Sequence, residues 1–368
     1  MSVNIDIDRT QGDSLMEHID VAVIGGGQSG LATAHTLLRR GLRPVVLEAS
    51  DRAAGSWPHY YDSLTLFSPA RYSSLPGTPF PGADRDRYPH RDEVVAYLTA
   101  YADRLDADIR TGSRVTAVRS TGDGFAVDLE GGGMLSARTV VAASGTFGCP
   151  HRPALPGLQE FTGQVLHAAD YRSPAPFAGR RVVVVGAGNS AVQIAAELAE
   201  TARVTLATRG PVKFAAQRVL GRDLHFWTTR TGLDTAPLGR FLARPPVQPV
   251  LDEGRYRAAL AADRPDWRPL FTGADGAKLV WSDGSREEVD AIVLATGYRP
   301  DLPYLTDLDG ALDAEGNPRH REGLATGVPG LAFTGLEWQR SLSSNSLRGV
   351  GRDAERIARR LVACLARR

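Results

Sequence analysis

The chain predicts an α/β fold built from two units of one kind, each reading as strand, glycine-rich turn, helix and strand. Three observations carry this. The segments "DVAVIGGGQSGLATAHTLLRRGLRPVVLEAS" and "RVVVVGAGNSAVQIAAELAETARVTLATRG" follow the same order of elements about 160 residues apart. The "VVVV" before the second turn is the continuous apolar run of a parallel strand buried on both faces. The separation fits a duplicated domain type and not a solenoid, whose period is roughly 20–50 residues.

The remaining elements fall around these two units. Residues 1–17 read as a flexible leader, and "DEVVAYLTAYADRL" as an amphipathic helix. Over residues 113–143, short alternating stretches predict an antiparallel meander returning to a buried strand. Residues 145–179 form a loop rich in Pro and Gly. Within it "FTGQVLHAADYR" (161–172) fits neither the alternation of a strand nor a helical face. The Trp- and Arg-rich segment 211–272, with Trp227, Trp267, Arg255 and Arg257, is irregular. It has two readings, a cover over a substrate entrance or an insertion packed by its own aromatics. "KLVWSDGSREEVDAIVLATGYRPD" predicts a hairpin leading into a buried strand, "GLAFTG" a short strand, and "GRDAERIARRLVACLARR" a closing helix.

Composition narrows the classes. With 368 residues, 42% of them hydrophobic, the chain has core enough for two or three domains of roughly 150 residues. A formal net charge of +1 and no basic block argue against nucleic acid or an anionic membrane as the main partner. The polar N-terminal residues do not resemble a secretory signal, and no apolar run approaches the ~18 residues that span a bilayer. Cys149 and Cys364 stand far apart with no CxxC, which predicts a reduced, cytoplasmic setting. The eight histidines include no pair at i,i+3 or i,i+4 and no HExxH, so no metal site is predicted.

The first turn, Gly25-Gly26-Gly27-Gln28-Ser29-Gly30, is a GxGxxG. Gly25 permits the turn, Gly27 a close approach of pyrophosphate, and Gly30 close strand–helix packing. A helix beginning near Ser29 directs free N–H groups at the phosphates. Glu48, eighteen residues after Gly30, ends the next strand where a carboxylate hydrogen-bonds ribose hydroxyls. The competing reading is a structural turn with Glu48 solvated.

The second turn, Gly186-Ala187-Gly188-Asn189-Ser190-Ala191, is followed by a strand that ends without a carboxylate and offers Arg209 instead. A carboxylate would repel a 2′-phosphate, whereas a guanidinium grips it with a bidentate fork. Arg209 therefore points to NADPH over NADH, against the reading of a surface arginine in an arginine-rich chain. Both units are then Rossmann-like dinucleotide-binding domains, with FAD in the first and NADPH in the second.

Between the turns, Phe161, Gly163, His167 and Tyr171 match the fingerprint FxGxxxHxxxY/W, and the chain resembles the class B flavin-dependent monooxygenases. "GSW" at 55–57 resembles the segment that wraps the flavin there, implicating Ser56 and Trp57. "ATGYRPD" at 295–301 is similar to the family's return crossing between domains. The resemblance implies an FAD domain at 18–160 and 296–368 with an NADPH domain inserted at 161–295. It implies that Val115 meets adenine through its backbone, and that His167 holds the domains and nicotinamide in geometry without acting as a base.

The activity implied is NADPH-driven formation of a C4a-hydroperoxyflavin that oxygenates a small S or N nucleophile or a ketone, with O2 as co-substrate. Several residues depart from the pattern: Ser73 and Ser74 replace an active-site Asn, Asp62 replaces an aromatic, and the fingerprint ends in Tyr171. The serines depart from the flavin-containing branch, whereas Asp62 and Tyr171 depart from the Baeyer–Villiger branch, and the balance favours heteroatom oxygenation over ketone insertion. No catalytic residue is singled out, because the cofactor carries the chemistry. The turn and helix near 345–349 would aim a helix dipole at the flavin. Three other activities compete. A disulfide reductase lacks its cysteine pair here, an NADPH oxidase or electron-transfer reductase would release H2O2 promptly, and an FAD-binding redox sensor would not consume NADPH.

Overall fold

The structure, a computed structural model, describes residues 17–242 and 246–366. The predicted leader lies outside the described residues except for Glu17, which opens the first strand, Glu17–Ile24. Its "VAVI" half is buried throughout because parallel neighbours flank it on both edges, Pro44–Leu47 on one side and Met134–Ala142 on the other. The sheet continues past Pro44–Leu47 to Asp108–Arg110, and past Met134–Ala142 to Leu331–Phe333 and two short strands. The predicted meander is present: Val115–Ser120, Phe125–Leu129 and Met134–Ala142 pair antiparallel in turn.

Helix Gln28–Leu38 packs on this sheet through Ala34 and Leu37, while Leu31 and Ala32 pack against helix Arg91–Ala102 and the start of the long closing helix Leu347–Leu365. Small side chains on its inner face permit the close approach. Helix Arg91–Ala102 starts in a capping box formed by His90 and Glu93.

The second sheet is wholly parallel, ordered Asp266–Pro269, Arg203–Thr208, Arg181–Val185, Ala291–Leu294 and Gln164–His167. Here the structure corrects the sequence reading twice. Gln164–His167, the middle of the stretch that fitted no element, is an edge strand, paired Leu294 to His167 at its end. Four residues are too few to show a period, and only the partner strand defines them. Asp266–Pro269, inside the segment read as irregular, is the opposite edge.

That segment also contributes strand Phe214–Ala216, helix Leu224–Arg230 and helix Arg255–Ala261. Buried carboxylates fasten it to the first unit. Asp223 accepts from Tyr88 Oη, Gln217 Nε2 and His225 Nδ1, each at 2.7 Å. Burial pushes its pKa up, but those bonds outweigh the push and hold it at about 2. Asp234 accepts from Arg348 Nε and Nη2 at 3.0 and 2.8 Å.

His167 and His320 are both pulled below the ordinary histidine pKa, chiefly by burial. The unfolded chain protonates its histidines near 6.5 and so binds more protons than the fold below that value. Stability should fall as pH drops through about 6.5 toward the depressed folded values. Thermal melts between about pH 7.5 and 5.5 should show Tm declining, and His320→Gln should flatten the decline. An unchanged slope in that variant would assign the loss to other groups.

Candidate active site

Each glycine turn sits where its central strand has neighbours leading in opposite directions, the switch point at which α/β sheets open a crevice. The two crevices merge into one cleft of about 1210 Å³. Of the residues singled out from sequence, Gly25, Gly27, Gln28, Ser29, Glu48, Ser56, Trp57 and Val115 line it from the first unit. Gly186, Gly188, Asn189, Ser190 and Arg209 line it from the second. Gly30 and His167 do not.

The glycines differ in what they do. Gly25 has φ +108°, and a Cβ there would meet Ala143 O at 2.6 Å. At Gly30 a Cβ would lie 1.8 Å from Gly25 O, so this residue shapes the turn from behind. Gly27 abuts Gly55, whose own Cβ would come within 2.7 Å of Gly27 Cα. The approach it permits is therefore first of all that of the 55–57 segment. A Cβ at Gly188, by contrast, would meet nothing within 4 Å, which leaves the second turn open to a ligand.

Glu48 is buried and braces the first turn. Its Oε2 accepts from Gly26 N at 2.7 Å, and its Oε1 from Ser50 N and Oγ at 2.8 Å. Carboxylate oxygens have further lone pairs, so ribose hydroxyls remain within its capacity. Gln28 links three segments: it accepts from Trp57 Nε1 at 3.2 Å and donates to Asn345 O at 2.7 Å. At the other end of the cleft, Arg209 and Lys213 have no carboxylate partner among the described residues.

Helix termini supply the clearest electrostatic feature. Helices Gln28–Leu38, Asn189–Leu198 and Leu347–Leu365 all begin at the cleft, with no side-chain cap and no acid in the first turn. The other three α-helices are each closed by a side chain: His90 and Glu93, Asp223, or Asp252, which accepts from Tyr256 N and Arg257 N at 3.1 Å. Among the described residues, the α-helix N-termini without a side-chain cap are thus those that face the cleft, and each such terminus carries about half a positive charge.

The fingerprint residues brace the link between the units. His167 is fully buried; its Nε2 donates to Gly297 O at 3.1 Å and its Nδ1 accepts from Ala169 N at 3.1 Å. Both nitrogens are committed, which fits a neutral positioning residue and not a base. Tyr171 Oη donates to Glu197 Oε2 at 2.8 Å, and a Cβ at Gly163 would meet Asp290 O at 2.8 Å. From His167 a chain of rings runs into the cleft: Tyr298 edge-on at 5.1 Å, Phe147 stacked on it at 5.3 Å, Tyr60 at 4.6 Å and Trp57 at 5.5 Å.

Sequence reasoning missed several lining residues. Lys213 is one of only two lysines, a rarity that could have marked it. Gly335 has φ +82°, and a Cβ there would strike Ser29 Oγ at 2.1 Å. Asp301 and Glu337 line the cleft with pKa values raised by burial. Of the cover reading, Trp227, Trp267, Arg255 and Arg257 do not reach the cleft; Trp227 and Trp267 bond instead to Val219 O and Thr208 Oγ1. Residues 246–248 of the same segment do line it.

Two nucleotide turns opening on one cleft, with an acid behind the first and unpaired cations behind the second, define a two-dinucleotide flavoprotein oxidoreductase. The family model of the pyridine nucleotide-disulphide oxidoreductases matches residues 22–230. A flavin-containing monooxygenase from Stenotrophomonas maltophilia superposes with a TM-score of 0.83 at 35% identity, covering 95% of this chain and 99% of that one. An uncharacterized CzcO-like oxidoreductase of Geobacillus kaustophilus is 32% identical over 92% of this chain and 97% of its own length. Indole-3-pyruvate monooxygenase YUCCA1 of Oryza sativa subsp. japonica is 33% identical over 80% of each chain. The chain belongs to the pyridine nucleotide-disulphide oxidoreductase family, and its relatives include flavin monooxygenases; it is an oxidoreductase that uses FAD and NADPH. No helix among the described residues is long and apolar enough to cross a membrane.

Proposed function

We propose that the chain is a cytoplasmic monooxygenase that uses NADPH and O2 to place one oxygen atom on a small sulfur or nitrogen nucleophile, the other atom leaving as water. A ketone substrate is the alternative, and the rice relative's name, with its 2-oxo acid, keeps it in view. The observation that carries the reading is the convergence of three uncapped α-helix N-termini on one cleft, while the other α-helices among the described residues are capped by side chains. Residues 18–160 with 296–368 form the FAD domain in this reading, and 161–295 the NADPH domain.

FAD, when bound, supplies the two-electron chemistry with NADPH and O2 that no side chain here can supply. The protein's part is binding, orientation and exclusion of water. The free N–H groups at the start of helix Gln28–Leu38 would hold the FAD pyrophosphate, Glu48 would accept from ribose, Ser56 and Trp57 would contact the flavin, and Val115 the adenine. Gly188, Asn189 and Ser190 hold the second pyrophosphate, while Arg209 and Lys213 take the 2′-phosphate. The uncapped terminus at 345–347 would place positive potential in the cleft, where it would favour an anionic form of a bound flavin.

Oxygen fate tests this. After NADPH reduction and mixing with O2, a monooxygenase should show a transient absorbance before the oxidised spectrum returns, lengthened by NADP+. Immediate return with stoichiometric H2O2 would favour an oxidase. His167→Ala should keep its FAD, because the first turn lies elsewhere. Its loosened link should admit water, so the transient shortens and H2O2 per NADPH rises. Loss of FAD in that variant would make His167 a core residue only.

A further inference from the structure

A second pocket, about 680 Å³, shares no lining residue with the redox cleft. It lies between helix Leu347–Leu365, residues 74–76 and Thr235. Five of its eleven lining residues are arginines, at 340, 348, 352, 356 and 359, against one acid, Glu355. The last four recur at steps of four, four and three, which stacks them along one helix face. Gly351 lets the facing loop approach, since a Cβ there would come within 2.3 Å of Pro76 Cγ.

The chain is arginine-rich throughout, so arginine alone means little. Charge imbalance is what sets the pocket apart. Over the whole chain 43 Lys and Arg stand against 42 Asp and Glu, yet here the lining is five to one. Its acid is already engaged by Arg40. Asp234 and Glu322 hold Arg348 and Arg356, and Asp353 holds only the Nε of Arg340, at 2.8 Å.

Arg352 and Arg359 have no carboxylate partner among the described residues. Seven residues apart, they sit about 10 Å apart along the axis on the same face. Clustered cations repel one another, and a bound anion relieves that repulsion. Guanidinium forks match phosphate oxygens in pairs. The volume suits a ligand larger than one phosphate, within the roughly 300–1,000 Å³ of small-molecule sites.

We propose that this pocket binds a small polyanion of the di- or triphosphate class, held chiefly by Arg352, Arg359 and the free Nη groups of Arg340. The test is calorimetric titration of inorganic triphosphate into FAD-loaded protein saturated with NADP+, so that the phosphate positions of the cleft are filled. Saturable binding is expected, weakened about ten- to a hundredfold in the double variant Arg352→Gln, Arg359→Gln, and unchanged in Arg209→Ala. Citrate, trivalent without phosphate, should bind at least about tenfold more weakly. Because both arginines are exposed and unpaired, FAD content should not change in the variant. A readout without any variant is the rise in wild-type Tm with triphosphate, absent with sodium chloride of equal ionic strength. No saturable binding, full affinity in the double variant, loss of binding in Arg209→Ala, or equal affinity for citrate would each overturn the proposal.

Discussion

Gly30→Ala should purify without FAD. The added methyl would lie 1.8 Å from Gly25 O and 3.0 Å from Gly25 C, and both are backbone atoms of the turn itself. No rotamer can relieve such a contact, so the turn or the helix start must move. Overpacking of this kind costs about 1–3 kcal/mol where neighbours can yield, and backbone held by Glu48 yields little. The expected result is a colourless protein whose FAD affinity has fallen by at least about a hundredfold, with a lowered Tm. Gly188→Ala is the counterpart. Its methyl meets nothing within 4 Å and its φ is ordinary, at −92°. Stability should stay within about 1 kcal/mol while NADPH binding falls, because the methyl would stand where the phosphates approach. Full FAD in Gly30→Ala would show that the turn can be rebuilt. Undiminished NADPH affinity in Gly188→Ala would place the nucleotide elsewhere.

That contrast also shows what the sequence could reveal. Both glycine turns were legible because a strand, a turn and a helix succeed one another with a periodicity each element declares by itself. Glu48 was legible from its distance to the turn, though its bonds to Gly26 and Ser50 were not. Gln164–His167 was illegible for a physical reason: a four-residue edge strand has no pattern of its own, and its identity lies in Leu294 and its neighbours, some 130 residues away. The same holds for the cleft's far wall. Gly335, Lys213 and Glu337 become neighbours of the nucleotide turns only through sheet order and the crossing at 295–301. The irregular look of 211–272 reflected short elements pinned by buried carboxylates, Asp223 and Asp234, whose partners sit in the other unit. Nothing local in a sequence announces such a partner.

Arg209→Ala should weaken NADPH by about one to two orders of magnitude and leave NADH nearly unchanged. A hydrogen bond to a charged group contributes about 1.5–3 kcal/mol, which is that span in affinity. Arg209 lies exposed at the cleft with no carboxylate partner among the described residues, so its removal orphans no acid and should leave the fold intact. Lys213, on the same wall and likewise unpaired, retains part of the positive field in the single variant. The loss should therefore lie toward the smaller figure, with Arg209→Ala, Lys213→Ala reaching the larger. Salt gives an independent check, because exposed charges are screened within about 8 Å at physiological ionic strength. Raising salt should weaken NADPH more than NADH in the native protein, and the difference should shrink in the double variant. Equal losses for both nucleotides in Arg209→Ala would mean that the guanidinium supports the wall of the cleft and not the 2′-phosphate.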